Sequence, residues 1–462
     1  MFTISLILLG KLISYVSKLT NHGAGSTWPG HIALSIQPNF VRNILKNSPT
    51  KVILVVGTNG KTTTSRMLAT ILKENLPAGR QVGNTVMQNE SGANLLNGIA
   101  STLLLNTNAR GKVTVDFAIF EVDENNLPLV LKQITPTTII ALDLFRDQLD
   151  RYGELDSIAK KWQHAFSVIA REQSQVPSGT WQSDRDNLTT KLILNADDPL
   201  MAYLGIMLKN AHVFYFGLND KNKTTLEHAA DSIYCPRCNH PLSYTSISYS
   251  HLGIWHCPHC KLQRPRPNIS ESMYPLPGTY NKYNTLAAVL AALQLGVENN
   301  IIQHALQKVT PAFGRQEKLK INNKHVQIFL AKNPTGFNEN LRTIAELGAK
   351  NVLFVLNDRI PDGRDISWIW DMDIEQFISK FKKITVSGDR SYDMALRMQY
   401  AQNLQDTTNK KQTNNNFQIY EKLEDGIREC LKELPDNETL YILPTYTAML
   451  EVRKILTGRK IL

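Results

Sequence analysis

A glycine-rich loop that carries a lysine and several hydroxyl groups follows the apolar run KVILVV (51–56) and precedes a helical pattern. Its residues are Gly57, Thr58, Asn59, Gly60, Lys61, Thr62 and Thr63. Backbone N–H groups of such a loop can hold phosphates, the lysine can reach the terminal phosphates, and a threonine hydroxyl can ligate Mg²⁺. A plain strand-to-helix turn would not require Gly-Lys-Thr. The loop, although shorter than the usual G-x4-G-K-[ST], therefore predicts nucleotide-phosphate binding.

Four of the five cysteines form two C-x2-C pairs. They are Cys235, Cys238, Cys257 and Cys260. This spacing suits a tetrahedral Zn²⁺ bound by four thiolates, and no ligand position is left for water. We therefore predict a structural zinc site, with four unmetallated cysteines as the alternative. Because zinc ribbons often bind nucleic acid, Arg264 and Arg266 of the adjacent RPRP run are candidate contacts.

Charged residues follow two of the predicted strands. Glu121 lies at the carboxyl end of VDFAIFEVD (115–123), the edge where doubly wound sheets bind ligands, and could hold Mg²⁺ there. Asp123 and Glu124 compete for this role, and a solvated strand end is the alternative. In the segment FRDQLDRYG (145–153), Arg146 and Arg151 are candidates to hold a phosphate or a carboxylate in a fork.

These residues must be positioned by alternating strands and helices, a pattern that predicts a parallel, doubly wound sheet. The alternation restarts near residue 312 and predicts a second α/β domain. The predicted organisation is an N-terminal helical segment (1–45), a central nucleotide-binding domain (46–311) with an inserted cysteine module (231–268), and a C-terminal domain (312–462). The strands are predicted at 51–56, 115–123, 137–144, 191–198, 212–217, 325–331, 351–357, 383–388, 417–423 and 439–445.

Composition indicates a soluble globular protein of several domains. The chain has 462 residues, 42% of them hydrophobic and 20% charged, which excludes a disordered chain, a collagen-like repeat and a multi-span membrane protein. Its net charge of +10 favours polyanionic partners without choosing among them. Residues 1–16 predict an amphipathic helix that packs on the domain or lies on a membrane surface. A cytoplasmic location, at the membrane's inner face in the second case, is expected. The polar segments 171–190 and 405–416 are predicted loops.

Resemblance to a known family rests on motifs that occur in a fixed order. After the GTNGKTTT loop come a strand-ending Glu, D-x-L-D-R-Y-G, NADDP (195–199), G-x-Y-N-x-Y-N (278–284) and F-G-R-x-E (313–317). This order resembles the Mur ligase family, which forms amide bonds on peptidoglycan precursors through an ATP-derived acyl phosphate. The implied fold is a Mur ligase-like parallel-sheet ATPase domain with an inserted four-cysteine zinc ribbon, followed by a C-terminal Rossmann-like α/β domain.

Residue roles implied by this resemblance can be placed on the sequence. The Gly57–Thr63 loop would bind ATP, and Glu121 would bind Mg²⁺. Asn281 would contact adenine, and Arg315 would lie at the nucleotide between the central and C-terminal domains. The family's H-N-P loop corresponds in position to Asn333 and Pro334.

Within the family, the cysteine insert together with FRDQLDRYGE, LAKNPTGFNE and DGRDISWIWD resembles the ligase subunit that amidates the D-glutamate of lipid II. That resemblance implies a heterodimer with a GatD-type glutamine amidotransferase, whose Cys–His pair gains from a carboxylate that orients the imidazole. Such ligase subunits are thought to lend this carboxylate. Asp371 is the best positional match, with Asp365 and Asp373 as rivals.

Two positions depart from the family pattern. Ordinary Mur ligases have a histidine at Gln148 that helps hold a second metal, and the amidating branch usually has asparagine at Asp143. The sequence therefore predicts the first Mg²⁺ site but lacks the histidine that helps hold the second.

Two other interpretations are a zinc-ribbon NTPase that acts on nucleic acid, and a conventional amino-acid-adding Mur ligase. The first leaves the ligase motifs unexplained, and the second leaves the cysteine insert and the missing histidine unexplained. The fifth cysteine, Cys430 in IRECLKEL, lies in a helical pattern rather than a Gly-flanked turn. The chain is therefore not predicted to hydrolyse glutamine, so its nitrogen comes from free ammonia or from a second protein; the resemblance implies the second.

Overall fold

The structure is a computed structural model. It describes residues 2–19, 27–46, 48–75, 86–89, 93–108, 110–146, 155–174, 189–208, 211–220, 230–409 and 417–458.

The N-terminal helix α1 (Phe2–Leu19) packs on the body of the protein by one face only. Leu6 and Ile7 are buried in the adjacent apolar core. A Cβ on Gly10 would come within 2.4 Å of the Leu104 side chain, so this glycine permits close approach. The opposite face is apolar and exposed, through Leu8, Leu9, Leu12 and Tyr15. Among the described helices, none combines the length and apolar character needed to cross a membrane.

The first sheet contains six parallel strands in the order β2-β3-β1-β4-β5-β6. The strands are β1 (Lys51–Val56), β2 (Val86–Gln88), β3 (Phe117–Val122), β4 (Thr138–Ala141), β5 (Lys191–Asn195) and β6 (His212–Phe216). The surrounding helices are α2 (Trp28–Ile36), α3 (Phe40–Lys46), α4 (Lys61–Glu74), α5 (Leu96–Asn106), α6 (Leu127–Leu131), α7 (Leu155–Ser174), α8 (Pro199–Ile206), α9 (Thr279–Gln294) and α10 (Asn299–Gln307).

The central strand β1 shows why this sheet is buried on both faces. Val52, Leu54 and Val56 lie in one apolar core, while Ile53 and Val55 lie in the core on the other face. Successive side chains of a strand point to opposite faces, so a continuous apolar run needs helices on both sides. Because β1 is flanked by β3 and β4, the carboxyl ends of these three strands meet at one crevice.

The cysteine module is built on an antiparallel hairpin of β7 (Ser243–Tyr249) and β8 (Leu252–His256). Trp255 anchors the hairpin, because its buried indole donates a hydrogen bond to the Ala196 carbonyl at 3.1 Å, just after β5. The module therefore sits against the first sheet as an insertion.

The second sheet is mixed, in the order β13-β12-β11-β14-β10-β9, and β9 runs antiparallel to β10. Its strands are β9 (Arg315–Ile321), β10 (Lys324–Phe329), β11 (Asn351–Val355), β12 (Lys383–Ser387), β13 (Gln418–Tyr420) and β14 (Thr439–Pro444). Its helices are α11 (Pro334–Glu346), α12 (Ser391–Asn409), α13 (Leu423–Glu433) and α14 (Tyr446–Thr457), with short 3₁₀ turns at Ser367–Asp371, Ile374–Gln376 and Ile378–Lys380.

The predicted fold class is confirmed, but the short strand β2 and the hairpin strands β7 and β8 were not predicted, and further details differ. Strand β9 was not predicted, because RQEKLKI is a charged sequence; it is an edge strand whose lysines face solvent. Residues 171–174 and 405–409, predicted as loops, instead end helices α7 and α12. The remainders of those two predicted loops, 175–188 and 410–416, lie outside the described residues.

Candidate active site

The glycine-rich loop connects β1 to α4 at the crevice of the first sheet. Gly57 and Gly60 have φ angles of 141° and 82°, which an L side chain adopts only with strain. A Cβ on Gly60 would also come within 2.0 Å of the Asn284 amide oxygen. The Thr64 hydroxyl donates to the same oxygen at 3.3 Å. The GTYNKYN motif is thus packed directly on the start of the loop helix.

Lys61, the first residue of α4, is buried and turned back over the loop. Its ammonium group donates to the carbonyls of Gly57 and Thr58 and forms an ion pair with Glu124 at 3.1 Å. The side chains of Lys61 and Glu124 are 10% and 6% exposed, so this pair is shielded from water. Glu124 therefore pairs with Lys61 in the structure, and its proposed role as an alternative Mg²⁺ ligand to Glu121 stays a prediction.

Glu121 and Thr62 bring oxygen ligands together beside the lysine. The Thr62 hydroxyl donates to the Glu121 carboxylate at 2.8 Å. Burial raises the pKa of Glu121, while the Thr62 hydroxyl, Arg315 and Lys61 act in the opposite direction. The Asn89 side chain holds the Glu121 backbone, accepting its N–H at 2.8 Å. Asp123, the other rival, accepts the N–H of Asn125 at 3.1 Å in the following turn.

Asp143, just after β4, closes the other side of the loop. Its carbonyl accepts the N–H of Thr58 at 3.1 Å, and its carboxyl accepts the N–H of Asn59 at 2.8 Å. Burial raises the pKa of Asp143 to about 8, and the nearby Asp198 adds to the rise. The Asp143 carboxyl oxygen thus accepts the Asn59 N–H as an asparagine amide oxygen at this position would. Gln148, Asp150 and Arg151 lie outside the described residues.

Residues from the second sheet line the cleft opposite the loop. The Asn333 amide donates to the Asn59 side chain at 3.2 Å and also caps α11. Arg315 is the first residue of β9, and its positive charge acts to lower the pKa of Glu121. Asn281 is 1% exposed, and its amide donates to the Pro277 carbonyl at 2.7 Å. Of the predicted nucleotide-binding residues, the structure brings Asn59, Gly60, Thr63, Asn281 and Arg315 to the lining of one cleft.

Gln316, which sequence reasoning did not single out, also lines this cleft. Its amide nitrogen donates to the Pro277 carbonyl at 2.9 Å and to the Tyr280 hydroxyl at 2.6 Å. Its φ of 61° is unusual for a residue other than glycine. The F-G-R-x-E motif specifies the residues beside Gln316 but allows any residue at position 316. No local sequence signal therefore identifies Gln316.

Asp371 lies in the C-terminal part of the chain and is not one of the residues that line the nucleotide cleft. It ends the 3₁₀ turn Ser367–Asp371, and its side chain is 42% exposed. Its carboxylate lies 3.5 Å from the guanidinium of Arg146. The rivals are engaged locally: Asp365 accepts the N–H of Ser367 at 2.8 Å, and the buried Asp373 accepts from the Asn338 amide at 2.9 Å. Asp371 thus differs from these two in pairing with a residue of the central domain.

The four cysteines of the insert converge on one point. Their sulfur atoms lie within 4.8 Å of one another, with 3.5 Å between Cys235 and Cys260 and between Cys238 and Cys257. A tetrahedral Zn–S distance of about 2.3 Å places thiolates roughly 3.8 Å apart, so the cluster is close to the geometry that zinc requires. The N–H of Cys260 lowers the pKa of Cys257 to about 6, while burial raises the pKa of Cys235 to about 12.

The two C-x2-C turns have matching backbones, as expected of paired zinc knuckles. In the first turn, the N–H of Asn239 donates to the Cys235 carbonyl at 2.8 Å. In the second turn, the backbone N–H of Lys261 donates to the Cys257 carbonyl at 3.1 Å. Both Asn239 and Lys261 have φ near 60°. His240 and His259 stack outside the cluster at 3.7 Å, where both are exposed. The cysteines rather than the histidines therefore form the enclosed site.

Arg264, the first arginine of the RPRP run, makes hydrogen bonds inside the protein. Arg264 donates to the buried Asp197 at 2.6 Å and to the Leu218 carbonyl at 2.8 Å. Its side chain is only 8% exposed, so it is not part of a free basic surface. Arg266 is exposed. The interpretation of this run as a nucleic-acid contact loses one of its two arginines.

Comparisons with known protein families cover most of the chain. The family described as Mur ligase middle domain matches residues 55–292, and the one described as MurT ligase C-terminal matches residues 330–449. The chain is 32% identical to the "Lipid II isoglutaminyl synthase (glutamine-hydrolyzing) subunit MurT" of Streptococcus pneumoniae (strain ATCC BAA-255 / R6), over 98% of this chain and 97% of the relative. It is 31% identical to the protein of the same name from Staphylococcus aureus (strain COL), over 85% and 87% of the two chains.

The solved structures agree on the fold. A pseudomurein peptide ligase type C from Methanothermus fervidus superposes with a TM-score of 0.62 and 21% identity, covering 88% of this chain and 79% of that chain. At this identity the likeness concerns the fold alone.

Proposed function

The chain belongs to the Mur ligase family, in its MurT group, and we propose that it amidates the D-glutamate α-carboxylate of lipid II to D-isoglutamine in peptidoglycan biosynthesis. The observation that carries this proposal is end-to-end similarity to MurT subunits, supported by a cleft between the two sheets that Asn59, Gly60, Thr63, Asn281 and Arg315 line. The chain is an enzyme of the ligase class, and ATP is the expected energy source.

The proposed reaction has two steps. An oxygen of the substrate carboxylate attacks the γ-phosphorus of ATP, and ADP leaves, which produces an acyl phosphate. Ammonia then attacks the acyl carbon, inorganic phosphate leaves, and loss of a proton yields the amide. Lys61 would offset the negative charge that develops on the transferred phosphoryl group, and the loop N–H groups would fix the phosphates.

The oxygen atoms of Thr62 and Glu121 suit a bound Mg²⁺. Mg²⁺ is a hard cation that prefers oxygen ligands, and here a hydroxyl and a buried carboxylate are 2.8 Å apart beside the phosphate loop. When bound, the ion would neutralise phosphate charge. Within the protein, Thr62 and Glu121 keep their mutual position because Asn89 fixes the Glu121 backbone.

Ammonia is proposed to come from a GatD-type glutaminase in a heterodimer. A glutaminase needs a reactive thiolate, but four cysteines of this chain form the cluster and the fifth is buried. Cys430 donates to the Thr385 hydroxyl at 3.3 Å, and burial raises the pKa of its thiol. The clustered or buried positions of all five cysteines therefore favour a separate subunit as the source of ammonia. The MurT relatives are also named as subunits.

A surface beside Asp371 has the character of a partner contact. Helix α12 exposes Tyr392, Leu396 and Tyr400 at successive fourth positions, and Trp370 meets Tyr400 edge-on, with 5.4 Å between the ring centroids. Exposed aromatic residues in a row are typical of protein interfaces. We assign this stripe, defined by Trp370, Tyr392, Leu396 and Tyr400, to the glutaminase, because it would place that partner next to Asp371.

The exposed face of α1 is proposed to contact the membrane that carries lipid II. The helix sequence contains two lysines and no acidic residue; of the lysines, Lys11 donates to the Thr107 carbonyl at 2.6 Å and therefore faces the protein. Apolar side chains on one face, with basic residues and no acids, are typical of helices that lie on anionic bilayers. Sedimentation with phosphatidylglycerol vesicles measures this contact; binding that persisted after Leu8→Ser and Leu12→Ser replacement would contradict it.

The proposed function is tested by an amidation assay on lipid II. The purified chain with ATP, Mg²⁺ and ammonium should convert the carboxylate to the amide, detected by mass spectrometry. Adding the candidate glutaminase should allow glutamine to replace ammonium. ATP hydrolysis that responded to DNA or RNA, and not to lipid II with ammonium, would instead favour the nucleic-acid interpretation.

The cluster of the insert should hold one Zn²⁺ per chain. Replacing Cys238 by serine should release the metal and destabilise the module, because metal binding and folding of such modules are coupled. Metal analysis and thermal unfolding measure the two effects. Cys430→Ser is the matched control, since it removes a cysteine outside the cluster and should leave zinc content unchanged. Protein purified without chelator and found free of zinc would rule out the assignment.

A further inference from the structure

Arg146 lies between the cysteine module and Asp371. Its backbone N–H donates to the Asp231 carboxylate at 2.8 Å, and its Nε donates to the other oxygen of the same carboxylate. The remaining side of the guanidinium faces Asp371, with 3.5 Å between Nη1 and the carboxylate oxygen. The fork that the sequence offered to a phosphate or a substrate carboxylate is thus filled by Asp231 and Asp371 of the protein itself, and Arg146 joins the first sheet, the cysteine module and the second sheet.

The anchor of this arginine is fixed inside the protein. The Asp231 side chain is 3% exposed, and its N–H lies 3.3 Å from Nδ1 of His251. His251 is fully buried, and its ring lies 4.7 Å from that of Phe145, the residue before Arg146. Because these contacts hold both the backbone and the side chain of Arg146, the edge of its guanidinium that is not bonded to Asp231 points in a defined direction, toward Asp371.

The same segment touches the nucleotide loop. The hydroxyl of Thr58 donates to the Phe145 carbonyl at 3.1 Å and accepts the Phe145 N–H at 3.0 Å. One peptide bond then separates this contact from Arg146. A contiguous path therefore runs from the phosphate loop through Phe145 and Arg146 to Asp371.

We propose that Arg146 is a positioning residue for Asp371, anchored by Asp231 of the cysteine module, and that it ties glutamine use to the ATP-binding domain. This inference rests on the proposed function, in which Asp371 serves the glutaminase. Arg146 holds one side of the Asp371 carboxylate, so the remaining oxygen surface can meet the partner's histidine. The cysteine module thereby gains a role beyond its own stability, since it supplies the anchor.

Stability is not the expected role of this contact. The side chains of Arg146 and Asp371 are 37% and 42% exposed, and ion pairs with such exposure contribute little to folding. The exposed pair Arg428–Asp425, at 2.7 Å on helix α13, provides a control of the same chemistry elsewhere in the C-terminal part of the chain.

The test compares glutamine-driven with ammonium-driven amidation in the assembled complex. Arg146→Met should lower the glutamine-driven rate about tenfold, within the range usual for coupling between sites, while the ammonium-driven rate stays close to wild type. Asp231→Asn should give the same split with zinc content unchanged. Arg146→Lys should recover part of the loss, because lysine keeps the charge but not the fork. Arg428→Met should change neither rate.

A double-mutant cycle decides whether Arg146 acts through Asp371. Spatial contiguity does not itself demonstrate coupling, so Arg146→Met is combined with Asp371→Asn. We expect no further loss of glutamine use in the double variant; additive losses would overturn the inference, as would equal loss of both reactions in Arg146→Met. Unchanged glutamine use in Asp371→Asn alone would instead refute the assignment of Asp371 in the proposed function.

Discussion

Lys61→Ala is expected to lower ATP-dependent amidation by on the order of 10³-fold, whichever nitrogen source is supplied. Lys61 is the cation of the phosphate loop, and its ammonium group already bridges two loop carbonyls. Initial rates at saturating ATP and ammonium measure the effect. Because the expected loss concerns the chemical step on the phosphoryl group, adding glutaminase should not restore activity.

Two controls separate this loss from unfolding. Removing Lys61 leaves Glu124 buried without its partner at 3.1 Å, and breaking such a pair costs about 3–5 kcal/mol of stability. The double variant Lys61→Ala with Glu124→Gln removes the unpaired buried charge. It should be more stable than Lys61→Ala alone and should remain inactive. Lys73→Ala, at an exposed position of the same helix, should behave like wild type. A folded Lys61→Ala protein with near-normal turnover would show that this loop is not the phosphate site.

Asp371→Asn is expected to block glutamine-driven amidation while ammonium-driven amidation continues. Asparagine keeps the shape of the side chain but lacks the charge that would stabilise the imidazolium of the partner's Cys–His pair; losses of about 10⁴-fold are known for such changes in related triads. Glutamate release and amide formation, measured side by side, give the result. A mutant that used glutamine as well as ammonium would mean that another residue serves the glutaminase.

Neighbouring residues supply the controls for Asp371. Asp365→Asn alters an exposed carboxylate that only accepts the Ser367 N–H, so glutamine use should survive. Leu396→Arg, in the aromatic stripe, should weaken co-purification with the glutaminase, whereas Asp371→Asn should bind it normally. If Leu396→Arg bound the partner as tightly as wild type, the stripe would not be the docking surface.

The sequence alone predicted ten of the fourteen strands in the described residues, because their signals are local. KVILVV followed by Gly57 and Gly60 specifies a buried strand and a loop with positive φ, whatever surrounds it. The two C-x2-C pairs likewise predict their own cluster, since each knuckle is closed by hydrogen bonds within a few residues. The order of motifs supplied the family.

Tertiary structure decided how charged residues pair, because their partners lie far apart in the sequence. Glu124 neutralises Lys61 from 63 positions away, and Arg146 is held by Asp231 from 85 positions away. Strand β9 exists only because β10 offers it an edge, since its charged sequence has little β signal of its own. Periodicity and motifs report on the backbone near each residue, whereas the packing of two sheets and one insert determines which carboxylate meets which cation.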